Sequence, residues 1–158
     1  LPPWDRASRA QCYLTLAQTE VLPFAPEDGR RKSGEWLRRA LATDPRCVGA
    51  YLLQAVNSPR GSPAQKHAAQ RALALDDGTL REWDKVTLCD MLEKWPEVVR
   101  WGREALRREP YLARFVCPDM AYAYAKMGQP EKAAAMRRLA EDYDAFIVKF
   151  LRTLGFEV

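Results

Sequence analysis

The architecture of this chain is indicated by a short segment that recurs four times: Arg39-Ala40-Leu41, Arg71-Ala72-Leu73, Glu104-Ala105-Leu106 and Arg138-Leu139-Ala140. Successive copies begin 32, 33 and 34 residues apart (39 to 71, 71 to 104, 104 to 138). A period near 34 residues is typical of helical-hairpin arrays, in which each unit stacks on its neighbours to bury an apolar face. The repeat therefore predicts an all-α fold of about four similar units.

The composition is that of a folded protein of single-domain size. Hydrophobic residues make up 47% and charged residues 29% of the 158 residues, which argues against disorder. Isoleucine occurs only at Ile147, so the composition favours helix over sheet. The 25 basic and 21 acidic residues leave a net charge of +4. So small an excess does not predict nucleic-acid binding, which needs a concentrated basic patch.

The residues that most often bind metals are few and scattered. Cys12, Cys47, Cys89 and Cys117 form no Cys-x-x-Cys pair, and His67 is the only histidine. The sequence therefore predicts no metal site and no cofactor. We interpret the cysteines as reduced thiols, with a disulfide pair as the alternative, and expect a cytoplasmic location. No apolar run approaches the roughly 20 residues that span a bilayer. Because the chain begins at Leu1, we expect an excised fragment or a processed product, and an upstream signal or anchor stays open.

Two helices are predicted in each unit, because prolines mark helix starts and polar stops mark helix ends at Asp44-Pro45, Asp76-Asp77-Gly78 and Glu109-Pro110. Pro26, Pro63, Pro96 and Pro130 each precede an amphipathic stretch, and proline is favoured at the first helical position. Ser62 is the predicted N-cap of one of these helices. The predicted helices pair 5–21 with 27–43, 46–58 with 63–76, 79–94 with 96–108, and 112–127 with 130–143, with an irregular connection over 22–33. A last helical segment over 144–154 is expected to cover the exposed face of the final pair.

Residues at matching places in the units resemble the tetratricopeptide repeat (TPR) family. The fourth unit supplies Met120-Ala121, Tyr124, Gly128, Ala133 and Ala140; the third supplies Trp83, Trp95, Ala105-Leu106 and Pro110. The resemblance covers about 5–143. It implies a single domain over 1–158, a right-handed α-solenoid of about four antiparallel hairpins (about 5–43, 46–76, 79–108 and 112–143) with a C-terminal capping helix over 144–154. The alternative is a generic helical bundle.

The resemblance also implies a binding groove, because TPR ligands usually lie along the concave face formed by the first helices. The residues expected to line it are Leu14, Gln18, Leu52, Val56, Asp84, Leu88, Met91, Pro118, Tyr122 and Lys126. These positions are mostly apolar, and only Lys126 resembles the residues with which such proteins clamp acidic chaperone tails. An apolar groove favours a peptide or helix of another protein. The alternative occupants are the chain's own ends, among them Leu1-Pro2-Pro3-Trp4, or another copy of the chain.

Three arginines form a possible second site. Arg100, Arg103 and Arg107 recur at helical spacing and so share one face. We interpret them as solvated helix surface; the alternative is a basic stripe that binds an acidic partner or nucleic-acid phosphates.

No catalytic motif is present: the sequence has no glycine-rich phosphate loop, nucleophile elbow or His-Glu-x-x-His segment. The sequence therefore predicts a non-catalytic adaptor, scaffold or assembly factor that binds another protein. The alternatives are a chaperone that shields a hydrophobic client segment, and a regulatory helical domain that associates with nucleic acid.

Overall fold

The part of the chain that the structure describes is all-α, as the sequence predicts, with helices joined by short turns. The computed structural model describes residues 5–20 and 29–155, which contain eight α-helices, one 3₁₀ helix and no strand. The helices are α1 (Arg6–Thr19), α2 (Gly29–Thr43), α3 (Val48–Asn57), α4 (Pro63–Leu75), α5 (Glu82–Met91), α6 (Trp95–Arg108), α7 (Ala113–Lys126) and α8 (Pro130–Thr153), with the 3₁₀ helix at Pro110–Leu112.

The chain divides into two compact units, Leu1–Leu80 and Arg81–Val158, and the single domain over 1–158 stays a prediction. The boundary follows a turn after α4 in which the Asp76 carboxylate accepts hydrogen bonds from the backbone N–H groups of Gly78 and Leu80. Polar turns of this kind are where compact units separate along a chain. Each unit is therefore described by itself.

Several helices begin and end at the predicted signals. The Ser62 hydroxyl accepts a hydrogen bond from the Gln65 N–H at 3.1 Å, and Pro63 follows in the first turn of α4. α2, α4 and α6 end directly before the predicted stops at residues 44, 76 and 109. Residues 29–33 are helical although the sequence predicts an irregular connection there. The rest of that connection, Pro26 and the segment Leu1-Pro2-Pro3-Trp4 lie outside the described residues.

Small residues bring the helices of the first unit together. α1 packs on α2, α3 packs on α4, and α2 also contacts α3. Its core contains Leu14, Ala17, Leu37, Ala40 and Ala50, and Trp36 stacks on Tyr13. At Gly49 a Cβ atom would lie 2.6 Å from Leu14 Cδ2, so a larger residue there requires the Leu14 side chain to shift. The alanine of the recurring segment is a packing residue here.

Small residues also bring the helices of the second unit together. α6 packs between α5 and α7, and α7 also contacts α5 and α8. Gly102 of α6 faces Val116 and Met120 of α7, and a Cβ atom there would lie 2.5 Å from Met120 Sδ. Ala105 of the recurring segment is 2% exposed. The packing of α6 on α7 therefore depends on the missing side chain at residue 102.

α8 is one continuous helix of 24 residues. The predicted capping segment 144–154 is its C-terminal part and does not begin a new helix. Phe146 and Phe150 in that part stack on each other and are 61% and 50% exposed. Both side chains are largely exposed, and the expectation that the segment 144–154 covers the final helix pair stays a prediction.

Candidate functional site

The structure separates the predicted groove residues into buried and accessible ones. Leu14 and Leu88 are 4% and 0% exposed, so their side chains belong to the core and not to an accessible groove. The prediction is corrected for these two residues. Leu52, Asp84 and Met91 are partly exposed, whereas the exposed members are Gln18, Val56, Pro118, Tyr122 and Lys126. Three of those five residues lie on α7, so the candidate site is centred on α7.

One side of α7 is exposed along its length. Phe115, Pro118, Tyr122 and Lys126 follow one another at steps of three, four and four residues, which places them on a single face of the helix. Phe115 is 51% and Tyr122 is 43% exposed. Pro118 lies inside α7, where it donates no backbone hydrogen bond to the carbonyl of residue 114. Two exposed aromatic rings on one helix face are typical of a contact surface.

Two tryptophans extend this face beyond α7. Trp83 of α5 contacts Phe115 edge-to-face, with ring centroids 6.1 Å apart and planes at 74°. Trp95, the first residue of α6, contacts Tyr122 in the same manner at 5.5 Å and 81°. Phe115 and Tyr122 are two helical turns apart, a rise of about 10.5 Å along one side of α7. We call Trp83, Trp95, Phe115 and Tyr122 the aromatic face.

Cations of the same chain flank both rings of α7. The Lys126 ammonium lies 5.1 Å from the centroid of Tyr122, and the Arg114 guanidinium carbon lies 5.4 Å from that of Phe115. Contacts of this kind stabilise by about 0.5–1 kcal/mol at exposed positions. They restrict how the exposed rings turn, so the aromatic face presents partly ordered side chains to a partner.

A cavity of about 220 Å³ opens at the Trp83–Phe115 end of the aromatic face. It is lined by Arg81, Glu82, Trp83, Ala105, Glu109, Tyr111, Leu112 and Phe115. The Tyr111 hydroxyl donates a hydrogen bond to Glu109, which raises the pKa of the Tyr111 phenol. Glu82 pairs with Arg108 at 2.7 Å. The cavity thus has an aromatic wall and a polar rim whose charges are held by neighbours, an arrangement suited to receiving one side chain of a partner.

The sequence prediction missed Phe115 and Tyr111. Phe115 was open to detection, because it continues the exposed spacing that Pro118, Tyr122 and Lys126 establish on α7. Tyr111 was not, since it lies in the 3₁₀ helix between α6 and α7, where helical periodicity gives no direction to a side chain.

The three arginines of the possible basic stripe are exposed, and each contacts a group of its own unit. Arg103 donates a hydrogen bond to the Tyr124 hydroxyl at 2.8 Å. Arg107 pairs with Glu104 at 2.7 Å, which lowers the pKa of that carboxyl group. The Arg100 guanidinium carbon lies 4.5 Å from the centroid of Trp101. These contacts agree with a solvated helix surface.

Burial raises the pKa of the thiols of Cys47, Cys89 and Cys117, that of Cys89 to about 11. All four cysteines are free thiols in the structure. Within residues 5–20 and 29–155, no three His, Cys, Asp or Glu side chains come together in a way that holds a metal ion. In the same ranges, no helix combines the length and the apolar character that crossing a bilayer requires.

No protein-family model, curated protein or solved structure matches this chain. The resemblance to TPR proteins therefore has no support from family comparison. It rests on the spacing of residues in the sequence and stays a proposal.

Proposed function

We propose that this chain is a non-catalytic protein-binding module and that its second unit binds a peptide or helix of another protein on the aromatic face. The observation that carries the proposal is the pair of exposed rings, Phe115 and Tyr122, on one side of α7. Each ring has a tryptophan against its edge. Aromatic residues of this kind supply most of the binding energy where proteins recognise peptides.

The order of the aromatic contacts supports a TPR-like arrangement inside the second unit. Trp83 at the start of α5 contacts Phe115 at the start of α7, whereas Trp95, after α5 has ended, contacts Tyr122 two turns further along α7. These contacts are those expected when α5 and α7 run in the same direction with α6 returning between them. We extend this to the proposal that, within each unit, the helix pairs are antiparallel hairpins of the kind that form a right-handed solenoid.

The size of the cavity suggests how a partner is anchored. A space of about 220 Å³ accommodates a single large side chain, and its aromatic wall continues into the aromatic face. One partner side chain enters the cavity, and the following residues of the partner lie along Phe115 and Tyr122. Recognition by one anchored side chain and an apolar stripe is common to peptide-binding grooves.

The experiment starts from a peptide selected from a random display library on the wild-type chain. Its affinity is then measured by fluorescence anisotropy for the wild type, for Phe115→Ala and for Tyr122→Ala. We expect each substitution to weaken binding about 10- to 30-fold, which corresponds to about 1.4–2 kcal/mol at a contact that dominates binding. Circular dichroism establishes that the variants keep their helix content.

Phe150→Ala is the matched control, because Phe150 has the same residue type and nearly the same exposure as Phe115 (50% against 51%) but lies on α8. We expect it to leave the affinity unchanged. Equal losses in Phe115→Ala and Phe150→Ala contradict the assignment of the site.

Dependence on salt separates this proposal from nucleic-acid binding. Apolar burial changes little between low and moderate salt, whereas binding to phosphates weakens steeply and linearly with the logarithm of salt concentration. We expect the peptide affinity to change less than threefold over this range, a bound that follows from the small electrostatic share of apolar contacts.

A further inference from the structure

The C-terminal part of α8 extends past the helix that it packs on. α8 has 24 residues and α7 has 14, which correspond to about 36 Å and 21 Å of helix. Only three residues separate the end of α7 from the start of α8, and Asp144 of α8 lies 3.6 Å from Arg114 in the first turn of α7. The residues of α8 beyond Asp144 therefore lie past the start of α7.

An apolar stripe begins before Asp144 and continues along this part of α8. Its members are Leu139, Tyr143, Phe146, Phe150 and the C-cap Leu154, at steps of four, three, four and four residues. Phe146 and Leu154 are 61% and 58% exposed. Steps of three and four residues are the spacing with which helices pair along a seam. A stripe of this length on a solvent-facing helix favours a helical partner.

Two charged residues on one border of the stripe indicate which partner helix is complementary to it. Asp142 and Lys149 stand four residues before and three residues after Phe146, so both lie on the same side of that ring. Tyr143 and Phe150 lie on its other side, within the stripe. Asp142 and Lys149 are seven residues apart and opposite in sign. An identical helix that runs in the opposite direction places its Lys149 against Asp142 and its Asp142 against Lys149.

We propose that α8 pairs with α8 of a second copy of this chain, antiparallel, about a two-fold axis between residues 145 and 146. In this register Phe146 enters the gap between Tyr143 and Phe146 of the second copy, and Phe150 enters the gap between Leu139 and Tyr143. Two Asp142–Lys149 pairs then close one border of the seam. The contact is isologous, so it ends at two copies.

The same charges argue against a membrane as the occupant. A helix that lies on an anionic bilayer carries basic residues on both borders of its apolar side. Here Asp142 borders the stripe, and Glu141 and Asp144 are on the same helix. The acidic residues make a second protein helix the better match.

The test measures the mass of the chain by sedimentation equilibrium from about 5 to about 500 µM, the range suited to the weak association of a small interface. We expect the mass to rise with concentration from 18.1 kDa towards twice that value. We expect Phe150→Glu to keep the chain at 18.1 kDa across the range. Leu16→Glu, which changes an exposed hydrophobic residue (42%) on α1, is expected to keep the mass profile of the wild type.

Charge reversal tests the register and the orientation. Asp142→Lys and Lys149→Asp each place two like-charged pairs in the antiparallel contact, and each is expected to weaken association at least fivefold. The double variant restores opposite charges and is expected to return to within twofold of the wild type. Circular dichroism verifies the helix content of all variants.

Three results overturn the proposal. They are a wild-type chain that stays at a single mass over the whole range, association that survives Phe150→Glu, and a double reversal that associates no better than the single ones. Peptide binding to the aromatic face is measured separately, so either proposal can fail alone.

Discussion

Replacement of Gly102 by alanine tests the close packing of α6 on α7. The new Cβ atom would lie 2.5 Å from Met120 Sδ, 2.6 Å from Met120 Cγ and 3.2 Å from Val116 Cγ1. Carbon atoms in favourable contact are about 3.5–4.0 Å apart, so the two helices must separate by roughly 1 Å or Met120 must move. Met120 is 1% exposed, which leaves it little room.

Two opposing effects determine how much Gly102→Ala changes the free energy of unfolding. Overpacking a core costs about 1–3 kcal/mol, whereas glycine to alanine inside a helix gains about 1 kcal/mol. We therefore expect Gly102→Ala to lower the free energy of unfolding by about 1 kcal/mol, measured by urea denaturation followed by circular dichroism. In a chain that already carries Met120→Ala, the two shortest contacts are removed and only the contact of 3.2 Å with Val116 Cγ1 remains close. The same substitution is then expected to raise the free energy of unfolding by about 1 kcal/mol.

Gly34 provides the control. It also lies inside a helix, α2, but among the described residues no atom outside the backbone of its own helix lies within 4 Å of the position of its Cβ. We expect Gly34→Ala to stabilise the chain by up to about 1 kcal/mol, because only the helix propensity changes. If Gly102→Ala stabilises the chain as much as Gly34→Ala does, the description of this packing is refuted.

Three further predictions concern the core, one turn and one thiol. Leu88→Ala is expected to lower the free energy of unfolding by about 2–5 kcal/mol in the same assay, because Leu88 is 0% exposed. A loss below about 1 kcal/mol would contradict the assignment of Leu88 to the core. Glu93 follows α5 with a positive φ of 58°, and at the matching place after α7 the chain has Gly128 with φ 69°. Glu93→Gly is therefore expected to raise the free energy of unfolding by about 1 kcal/mol, because glycine adopts a positive φ without strain. An unchanged urea midpoint would contradict this. Burial raises the pKa of Cys89 from 9.0 to about 11, so this thiol favours folding below pH 9 and the benefit is lost as the pH rises through 11. At pH 8, iodoacetamide is expected to modify Cys89 at least tenfold more slowly in the folded chain than in urea, as followed by mass spectrometry of the peptides.

The sequence predicts the helices well because their ends carry local signals. Proline at the start of α4 and the polar stops after α2, α4 and α6 act within one turn of the backbone, so no knowledge of packing is needed to locate them. The burial of the small residues in the recurring segment is predicted equally well. Ala40, Ala72 and Ala105 are buried because close helices leave no room for a larger side chain.

The site is predicted less well, because hydrophobicity does not distinguish a core leucine from one that lines a groove. α5 contacts both α6 and α7, so more of its circumference is covered than one neighbour would cover, and Leu88 is enclosed. The length of α8 has a similar cause. No stop signal follows Tyr143, and whether helix continues there depends on neighbours and not on local sequence.

The most direct test of the proposed binding site compares two phenylalanines of nearly equal exposure, one on the aromatic face and one on α8. The measurement is the affinity of a selected peptide for the wild type, Phe115→Ala and Phe150→Ala by fluorescence anisotropy. Binding on the aromatic face predicts a loss of about 10- to 30-fold for Phe115→Ala and no loss for Phe150→Ala. Unchanged affinity in Phe115→Ala, with helix content intact, would contradict it.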